Sequence, residues 1–353
     1  MAENNQNEKE NEIELTELFE EEPRKGRSPM GDAWREFRAN KVGVAGAIFI
    51  LLVVLMALLA PIITPYHFST QNNRNSRAKP MTGYTITTDY AEDKCHWYGT
   101  PLEWGCSLFV VGSDGLGRDL WSRVVYGTRV SLAMAMVASV VSLTIGTVIG
   151  TISGFAGGRV DNLIMRVVDF LYAIPFLPIV ILMQVYFQAL ARRGVSSGLG
   201  AALISWNQAM GGMLFIFIAI GAIGWLGMAR LARGQVLSYK QKEFVEAARA
   251  LGASNSRIMF RHLLPNIIAP LVVSETLAIP GYIFLEAALS FIGLGVNPPT
   301  PSWGSMINEG YLGIRSNSHL VLVPGVLLAV LTLAFNFMGD GLRDALDPRV
   351  HGS

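Results

Sequence analysis

The stretch that decides the fold is residues 230–265, RLARGQVLSYKQKEFVEAARALGASNSRIMFRHLLP, a polar interruption between two long apolar segments. From Tyr239 to Leu251 it is rich in helix-forming residues. Gly252 can end that helix, because glycine adopts the left-handed backbone conformation at low cost. Ser254 can cap a second helix, and Pro265 marks the boundary before the next apolar segment. The stretch therefore predicts two short helices joined by a turn, standing off a membrane.

The rest of the chain has the composition of a membrane protein. Of its 353 residues, 51% are hydrophobic and 16% are charged, and the mean hydropathy is +0.38, which is too apolar for an ordinary soluble domain. A membrane span needs roughly 20 mostly apolar residues. Six runs of that length occur, at 42–63, 130–155, 162–190, 210–232, 266–294 and 320–339. We therefore predict an all-α membrane protein with six transmembrane helices. A net charge of +1 gives no reason to expect nucleic acid as a partner.

The distribution of Lys and Arg predicts the orientation of these spans. Both the segment before the first run and the 230–265 loop are rich in Lys and Arg, whereas the 295–320 connection has only Arg315. Basic residues concentrate on the cytoplasmic side, so with six spans both termini are expected in the cytoplasm. The N-terminal part then divides into a disordered acidic cytoplasmic tail (1–28), an amphipathic interfacial helix (29–41) and a first transmembrane helix (42–63). An external insert (64–129) follows, and then a five-helix transmembrane core (130–339) that contains the cytoplasmic loop 234–265. The chain ends in a cytoplasmic tail (340–353). For residues 29–41 the alternative is a plain charge cluster beside the membrane.

The two cysteines, Cys95 and Cys106, both lie in the predicted external insert. We predict a disulfide that closes a short loop in an oxidising compartment. The alternative is two unrelated small residues. Two cysteines with the adjacent His96 lack the paired spacing of a metal site, so no metal is predicted.

Carboxylates inside the apolar runs are candidate pathway residues, because an ionisable group is costly at membrane depth. Glu275 and Glu286 both lie in the fifth run. For Glu275 the alternative is a carboxyl that is hydrogen-bonded inside the helix bundle. Asp169 is expected to pair with Arg166, three residues earlier on the same helix.

Small residues and prolines add expectations about packing. Gly146, Gly150 and Gly154 repeat at a spacing that lets another helix approach closely. Pro175 in the third run and Pro280 in the fifth predict breaks that would free backbone carbonyl groups. Such breaks make these two spans candidate walls of a pathway, with simple kinks as the alternative.

Signatures of catalysis are missing from the sequence. It contains neither a G-x-x-x-x-G-K-[ST] phosphate-binding loop nor an H-E-x-x-H metal motif. Residues 194–198, GVSSG, match G-x-S-x-G, but they lie between two predicted spans rather than on a strand-to-helix turn. We therefore predict no catalytic residue and no enzymatic activity for this chain.

Three further motifs carry a family resemblance. They are GSDGLGRDLWSRVVYGTRVSL at 112–132, EAALSFIGLGVNPPTPSWG at 286–304 and NFMGDGLRDALDP at 336–348. With the 230–265 loop they resemble the C-type permease subunit of oligopeptide/dipeptide (and nickel) ABC importers, from about Trp34 to Arg349. The loop residues that match the ATPase-docking motif of that family are Glu246, Ala247, Ala248, Gly252, Leu264 and Pro265. His262 is familiar in the peptide-importer branch, and the external insert is longer than usual.

The resemblance implies a type I ABC importer permease fold. It also implies a homologous B-type permease subunit, two ABC ATPase subunits that bind ATP and Mg, and an external substrate-binding protein. No cofactor is expected in this chain, and the expected location is the cytoplasmic (inner) membrane of a bacterium or archaeon, in contact with lipid. Peptides are the expected substrate, with nickel complexes, glutathione or short oligosaccharides as alternatives. An ion-coupled secondary transporter would explain broken helices and buried carboxylates but would leave the 230–265 loop without a purpose.

Overall fold

The computed structural model describes residues 29–83, 94–193 and 198–346, most of which are helical. The helices are α1 (Pro29–Ala39), α2 (Lys41–Leu58), α3 (Ala60–Ile63), α4 (Leu120–Ala156), α5 (Gly158–Ala173), α6 (Phe176–Arg192), α7 (Gly198–Ala209), α8 (Met213–Tyr239), α9 (Glu243–Ala250), α10 (Asn255–Arg257), α11 (Leu264–Phe291), α12 (Trp303–Tyr311) and α13 (His319–Leu346). A π-helical turn, Ile258–Leu263, joins α10 to α11. Strands β1 (Thr82–Gly83) and β2 (Leu108–Phe109) form an antiparallel pair, and 3₁₀ turns occur at Asn73–Asn75 and Glu103–Ser107. The predicted tail 1–28, residues 347–353 and most of the GVSSG sequence lie outside the described residues.

Within the described residues, five helical segments are long and apolar enough to cross a membrane. They are α2, α4, α8, the continuous helix Asn255–Phe291, and α13. The third predicted run is instead a pair of helices that meet at 77°, and six spans result only if this pair counts as one. Pro175 lies at the break, because a proline disfavours the helical conformation of the residue before it. Pro280, in contrast, lies within the unbroken helix α11.

Several helices differ in extent from the predicted apolar runs. Helix α4 begins at Leu120 rather than at 130, α13 continues to Leu346 rather than ending at 339, and α7 occupies much of what was expected to be a short loop. At the start of α4 the side chain of Asp119 accepts a hydrogen bond from the backbone N–H of Ser122 at 2.7 Å, which caps the helix. An apolar run cannot locate this start, because the first turns of α4 contain polar residues whose partners come from distant parts of the chain.

Helices α4 and α8 form the most extensive helix pair of the bundle. A Cβ atom added to Gly150 would lie 2.3 Å from the carbonyl oxygen of Ala229, and one added to Gly146 would lie 2.6 Å from Cβ of Met228. The glycine face of α4 therefore serves close packing against α8 of the same chain. It is not a free face for a second copy.

Helix α1 forms where an interfacial helix was predicted, and it packs on the end of α13. Ala33 is buried, while Trp34 is 57% exposed and stacks on Phe37 with ring centroids 6.0 Å apart. The guanidinium of Arg38 lies 5.3 Å from the centre of the Trp34 ring. An exposed tryptophan stacked on a half-buried phenylalanine beside a cation suits the headgroup layer of a membrane.

Candidate coupling site

The loop between α8 and α11 contains the exposed helix α9. Its first turn contains Glu243 and Glu246, whose negative charges complement the positive end of the helix dipole. The helix ends as the sequence predicts, because Gly252 has a φ of +77° and its N–H donates to the carbonyl of Arg249 at 2.9 Å. A short helix of defined length therefore projects from the bundle.

The second helix of the loop is not free-standing, which corrects the prediction of a boundary at Pro265. Ser254 caps it as expected, since its hydroxyl accepts from the N–H of Arg257 at 3.3 Å. The helix then passes through the π turn Ile258–Leu263 directly into α11. Pro265 occupies the first turn of α11, where its missing N–H is tolerated next to the altered hydrogen-bond register of a π turn. The second helix of the loop and the fifth span thus form one continuous helix, through which a movement of the loop would reach the span.

The six motif residues differ in their exposure. Glu246, Ala247, Gly252 and Pro265 are exposed and Leu264 is half-buried. Ala248, predicted to form a shallow partner-facing surface with Ala247, is 8% exposed and belongs to the core of the protein. The correction follows from helix geometry, because Ala248 lies one turn after the buried Val245 and shares its face. Phe244 and Leu251 are 38% and 89% exposed, so the apolar stripe predicted for this helix is available for contact.

Two contacts tie the loop to the ends of α4 and α5. The Nζ of Lys240 donates to the carbonyl oxygen of Gly154 at 2.8 Å. Just before the loop, the Nε and Nη2 atoms of Arg233 donate to the two carboxylate oxygens of Asp161 at 2.6 and 2.7 Å. The hydroxyl of Ser153 donates to the same carboxylate at 2.5 Å. The sequence analysis missed this cluster, since its members are up to 87 positions apart (153 to 240) and no motif links them.

The expected pairing of Asp169 is also wrong. Its carboxylate accepts from Nη2 of Arg230 on α8 at 2.7 Å, not from Arg166 on its own helix. The ring of Tyr172 lies 4.2 Å from the same guanidinium. The cationic partner of Asp169 therefore comes from the neighbouring helix α8, and not from Arg166, which local spacing had predicted.

The two candidate pathway carboxylates lie inside the bundle. Glu275 is 3% exposed, and its Oε2 accepts from Ser142 of α4 at 3.0 Å. Glu286 is fully buried and accepts from Ser131 at 2.9 Å and Ser290 at 2.6 Å. Both carboxylates are therefore hydrogen-bonded to other helix residues of the same chain, as the alternative for Glu275 expected, and their role in a pathway stays a prediction.

A second polar cluster lies at the opposite end of the bundle. Asp114 and Glu309 each form ion pairs with both Arg118 and Arg123. The distance from Arg118 Nε to Asp114 Oδ2 is 2.6 Å, and the distance from Arg123 Nη2 to Glu309 Oε1 is 3.0 Å. Arg123 is 1% exposed. These contacts connect the segment before α4 to α12 and explain why α4 starts early, with charged residues in its first turns.

The disulfide predicted for the external insert is present. Cys95 and Cys106 are bonded, with an S–S distance of 2.02 Å, and both are buried in a small core with Tyr66 and Phe109. The indole N–H of Trp97 donates to the carbonyl of Ile62 at 2.9 Å. The insert is thereby attached to the end of the first span.

Two family models match most of the chain. Residues 146–352 match the model of the binding-protein-dependent transport system inner membrane component, and residues 28–80 match the N-terminal transmembrane domain of oligopeptide transport permease C. The oligopeptide transport system permease protein OppC of Bacillus subtilis is 37% identical over 319 residues, covering 90% of this chain and 89% of the relative. OppC of Escherichia coli is 37% identical with 92% of both chains covered, and the dipeptide permease DppC of B. subtilis is 35% identical with 90% and 85% covered.

The chain belongs to this permease family. As a C-type permease it is a multi-pass membrane component of a binding-protein-dependent ABC importer and not itself an ATPase. Its all-α architecture is that of the type I importer permeases. Among solved structures, a chain of the MetNI methionine ABC transporter in an inward facing conformation is 22% identical to this permease, with a TM-score of 0.47. The matched region covers 64% of this permease and 96% of that chain.

Proposed function

We propose that this permease forms half of the translocation pathway of an ATP-driven importer, and that its coupling segment, residues 234–265, docks an ATPase subunit. The observation that carries the proposal is that α9 is packed into the core along one stripe and exposed along the next. Val245 and Ala248 anchor one stripe of the helix in a core shared with α8 and α11, while Phe244 and Leu251, on the adjoining stripe, remain exposed. A short amphipathic helix of this kind suits insertion into a groove of another protein. Because its inner face is fixed, movement of the partner is passed to the spans.

Peptides are the proposed substrate, delivered from outside by a substrate-binding protein. Support comes from the relatives, which are named oligopeptide and dipeptide permeases. Nickel complexes, glutathione and short oligosaccharides remain alternatives, because substrate affinity in such a system resides largely in the binding protein. Mass spectrometry of the ligand that co-purifies with the partner binding protein distinguishes these substrate classes.

The proposed assembly contains a homologous B-type permease and two ATPase subunits, which bind ATP and Mg. The glycine face of α4 is occupied by α8 of the same chain, so this face does not provide a homodimer contact. The different second permease is proposed from the family resemblance. The proposed location is the cytoplasmic (inner) membrane of a bacterium or archaeon with both termini in the cytoplasm, on the basis of the Lys and Arg distribution. A stable homodimer that imports peptide without a second permease would contradict this assembly.

Gly252 provides the test of coupling. A Cβ atom at this position would meet no atom within 4 Å, so a substitution acts through backbone conformation alone. At a φ of +77° a β-branched residue is strained by about 1–2 kcal/mol, whereas asparagine tolerates this conformation better. We expect Gly252→Val to lose peptide uptake and stimulated ATP hydrolysis together while still inserting in the membrane, and Gly252→Asn to retain most of both.

The outcome separates the importer from an ion-coupled secondary transporter. Normal uptake by Gly252→Val would remove the proposed role of the coupling segment. Uptake driven by an ion gradient in vesicles depleted of ATP would favour the secondary transporter, for which the buried carboxylates Glu275 and Glu286 are the supporting feature.

A further inference from the structure

A groove lies between the end of α4 and the coupling segment. Its outer part is a cavity of 470 Å³, which lies within the range of about 300–1,000 Å³ found for small-molecule sites. The polar side of this cavity is formed by Arg249, Asn255 and Ser256, all exposed. The apolar side is formed by Phe155 and Met259, together with neighbouring residues of α4.

The groove continues toward the middle of the membrane as a second, smaller cavity of 30 Å³. The two cavities share Ile152 and Met259, so they adjoin. Val148, Phe260 and Leu264 line the apolar part of the deeper cavity, and the first two of these are 50% and 53% exposed. Residues 147–156 span roughly 13 Å along α4 at 1.5 Å per residue. This is longer than the roughly 5–8 Å of one headgroup layer, so a groove of this length reaches from that layer into the hydrocarbon region.

Two buried hydroxyl groups line the deeper cavity without a partner. Thr147 and Thr151 are 6% and 2% exposed, and among the described residues neither Oγ1 atom has a hydrogen-bond partner. Most buried polar groups are hydrogen-bonded, and an unpaired one is costly. These two donors lie one helical turn apart, line the same cavity and lack an acceptor among the described residues.

The guanidinium of Arg249, at the outer end of the groove, also lacks an acidic partner among the described residues. Within the described part of the chain, Arg249 is in no ion pair, whereas Arg233 and Arg230 each have a carboxylate partner. An anionic group at the cavity mouth would pair with it, and basic pockets at the cytoplasmic side of helix bundles bind lipid headgroups in this way.

We propose that this groove binds one anionic phospholipid of the inner leaflet. Its phosphate pairs with Arg249, with Asn255 and Ser256 as additional donors, and its ester carbonyl oxygens accept from Thr147 and Thr151. The acyl chains continue along the exposed apolar surface beside Val148 and Phe260. A lipid fits better than the soluble ATPase because the deeper cavity lies between two membrane-spanning helices, beyond the reach of a soluble subunit. The inference rests on the cytoplasmic side assigned to the coupling segment under the proposed function.

The lipid would connect the membrane to the coupling apparatus. Arg249 is in the last turn of α9, and Thr147 and Thr151 are in α4, so one molecule contacts both the docking helix and the adjacent span. Occupancy would therefore hold α9 in a fixed position relative to α4.

The test measures lipid retained by the purified full-length chain in detergent, by native mass spectrometry. Phosphatidylglycerol and phosphatidylcholine with identical acyl chains are the two probes. We expect one phosphatidylglycerol per chain to be retained in preference to phosphatidylcholine. Arg249→Gln should weaken phosphatidylglycerol retention about fivefold, the equivalent of about 1 kcal/mol for one basic group, and Arg249→Lys should restore part of it. Arg261→Gln is the matched control, because Arg261 is an exposed arginine of the same segment that does not line either cavity.

The hydroxyl groups are tested by Thr147→Val and Thr151→Val together, which keep side-chain shape and remove both donors. A further loss of retention, with an unchanged size-exclusion profile, supports the proposal. Equal retention of the two lipids, or unchanged retention in both the Arg249 and the threonine variants, overturns it. Displacement by glycerol 3-phosphate at equal concentration would identify a site for free phosphate instead. Loss of the lipid on co-expression with a second permease would assign the groove to a protein interface. None of these readouts requires uptake or ATP, so a failure of the proposed transport function would be seen separately.

Discussion

Arg233 and Asp161 form a bidentate ion pair, with Nε to Oδ1 at 2.6 Å and Nη2 to Oδ2 at 2.7 Å. The pair joins α8, which leads into the coupling segment, to the start of α5. Ser153 at the end of α4 donates to the same carboxylate. Three helix ends are therefore held together directly beside the exposed helix that is proposed to dock an ATPase.

Breaking this pair should uncouple ATP hydrolysis from transport. The two side chains are 34% and 10% exposed, so we expect Arg233→Gln to cost about 1–2 kcal/mol, between the values for exposed and buried pairs. More ATP should be hydrolysed per substrate imported by the reconstituted complex. Arg230→Gln is the matched control, because its partner Asp169 is 65% exposed and their pair should contribute little. Equal effects of the two substitutions would contradict the prediction.

Asp119 predicts a dependence of stability on pH. Burial raises the pKa of this helix-capping carboxyl to about 6, although hydrogen bonds from Ser122 oppose the shift. Between pH 4 and 6 the folded state then binds a proton that the unfolded state releases, so the contribution of Asp119 becomes less favourable as pH rises. A shift of about two pKa units corresponds to about 2–3 kcal/mol.

The variant Asp119→Asn isolates this contribution, because asparagine also caps helices and does not titrate. The difference in free energy of unfolding between Asp119→Asn and the parent chain should grow from pH 4 to pH 6.5 in favour of the variant. Thermal unfolding in detergent at a series of pH values measures it. A difference that stays constant with pH would show that the carboxyl titrates at its ordinary value.

The Cys95–Cys106 disulfide should stabilise the external insert. A loop with a sequence separation of 11 residues loses chain entropy worth about 3 kcal/mol in the unfolded state when it is closed. We expect reduction, or the double substitution Cys95→Ser and Cys106→Ser, to lower the temperature at which the insert unfolds while leaving the helical signal of the bundle intact. Peptide mapping without reductant should recover the linked pair. Alkylation of both thiols in freshly isolated membranes would contradict both the bond and the external location.

Glu286 distinguishes a structural carboxylate from a pathway carboxylate. It accepts hydrogen bonds from Ser131 and Ser290 inside the bundle, and glutamine can still accept them. We therefore expect Glu286→Gln to preserve uptake in the assembled importer. Glu286→Leu should lower stability by about 1–3 kcal/mol, because it leaves two buried hydroxyls without their acceptor. Loss of uptake in a fully stable Glu286→Gln variant would instead place this residue in the pathway.

The sequence predicted the features that depend on local composition and spacing. Apolar runs are readable because a span needs a minimum length of apolar residues, and α2, α4, α8, α11 and α13 lie where such runs occur. Gly252 was identifiable as the end of α9 because few other residues adopt a positive φ at low cost. The exposed stripe of Phe244 and Leu251 followed from helical spacing alone.

What the tertiary structure decided is which distant groups meet. Asp169 pairs with Arg230 and not with its near neighbour, Ala248 faces the core rather than a partner, and α4 begins ten residues early. Each outcome depends on a group from another part of the chain that buries the residue, forms an ion pair with it or hydrogen-bonds to it. The residue pattern along one segment does not show which group that will be. The sequence thus determined the helices and the family, and the fold determined their partners, because burial and ion pairing are properties of helices packed together.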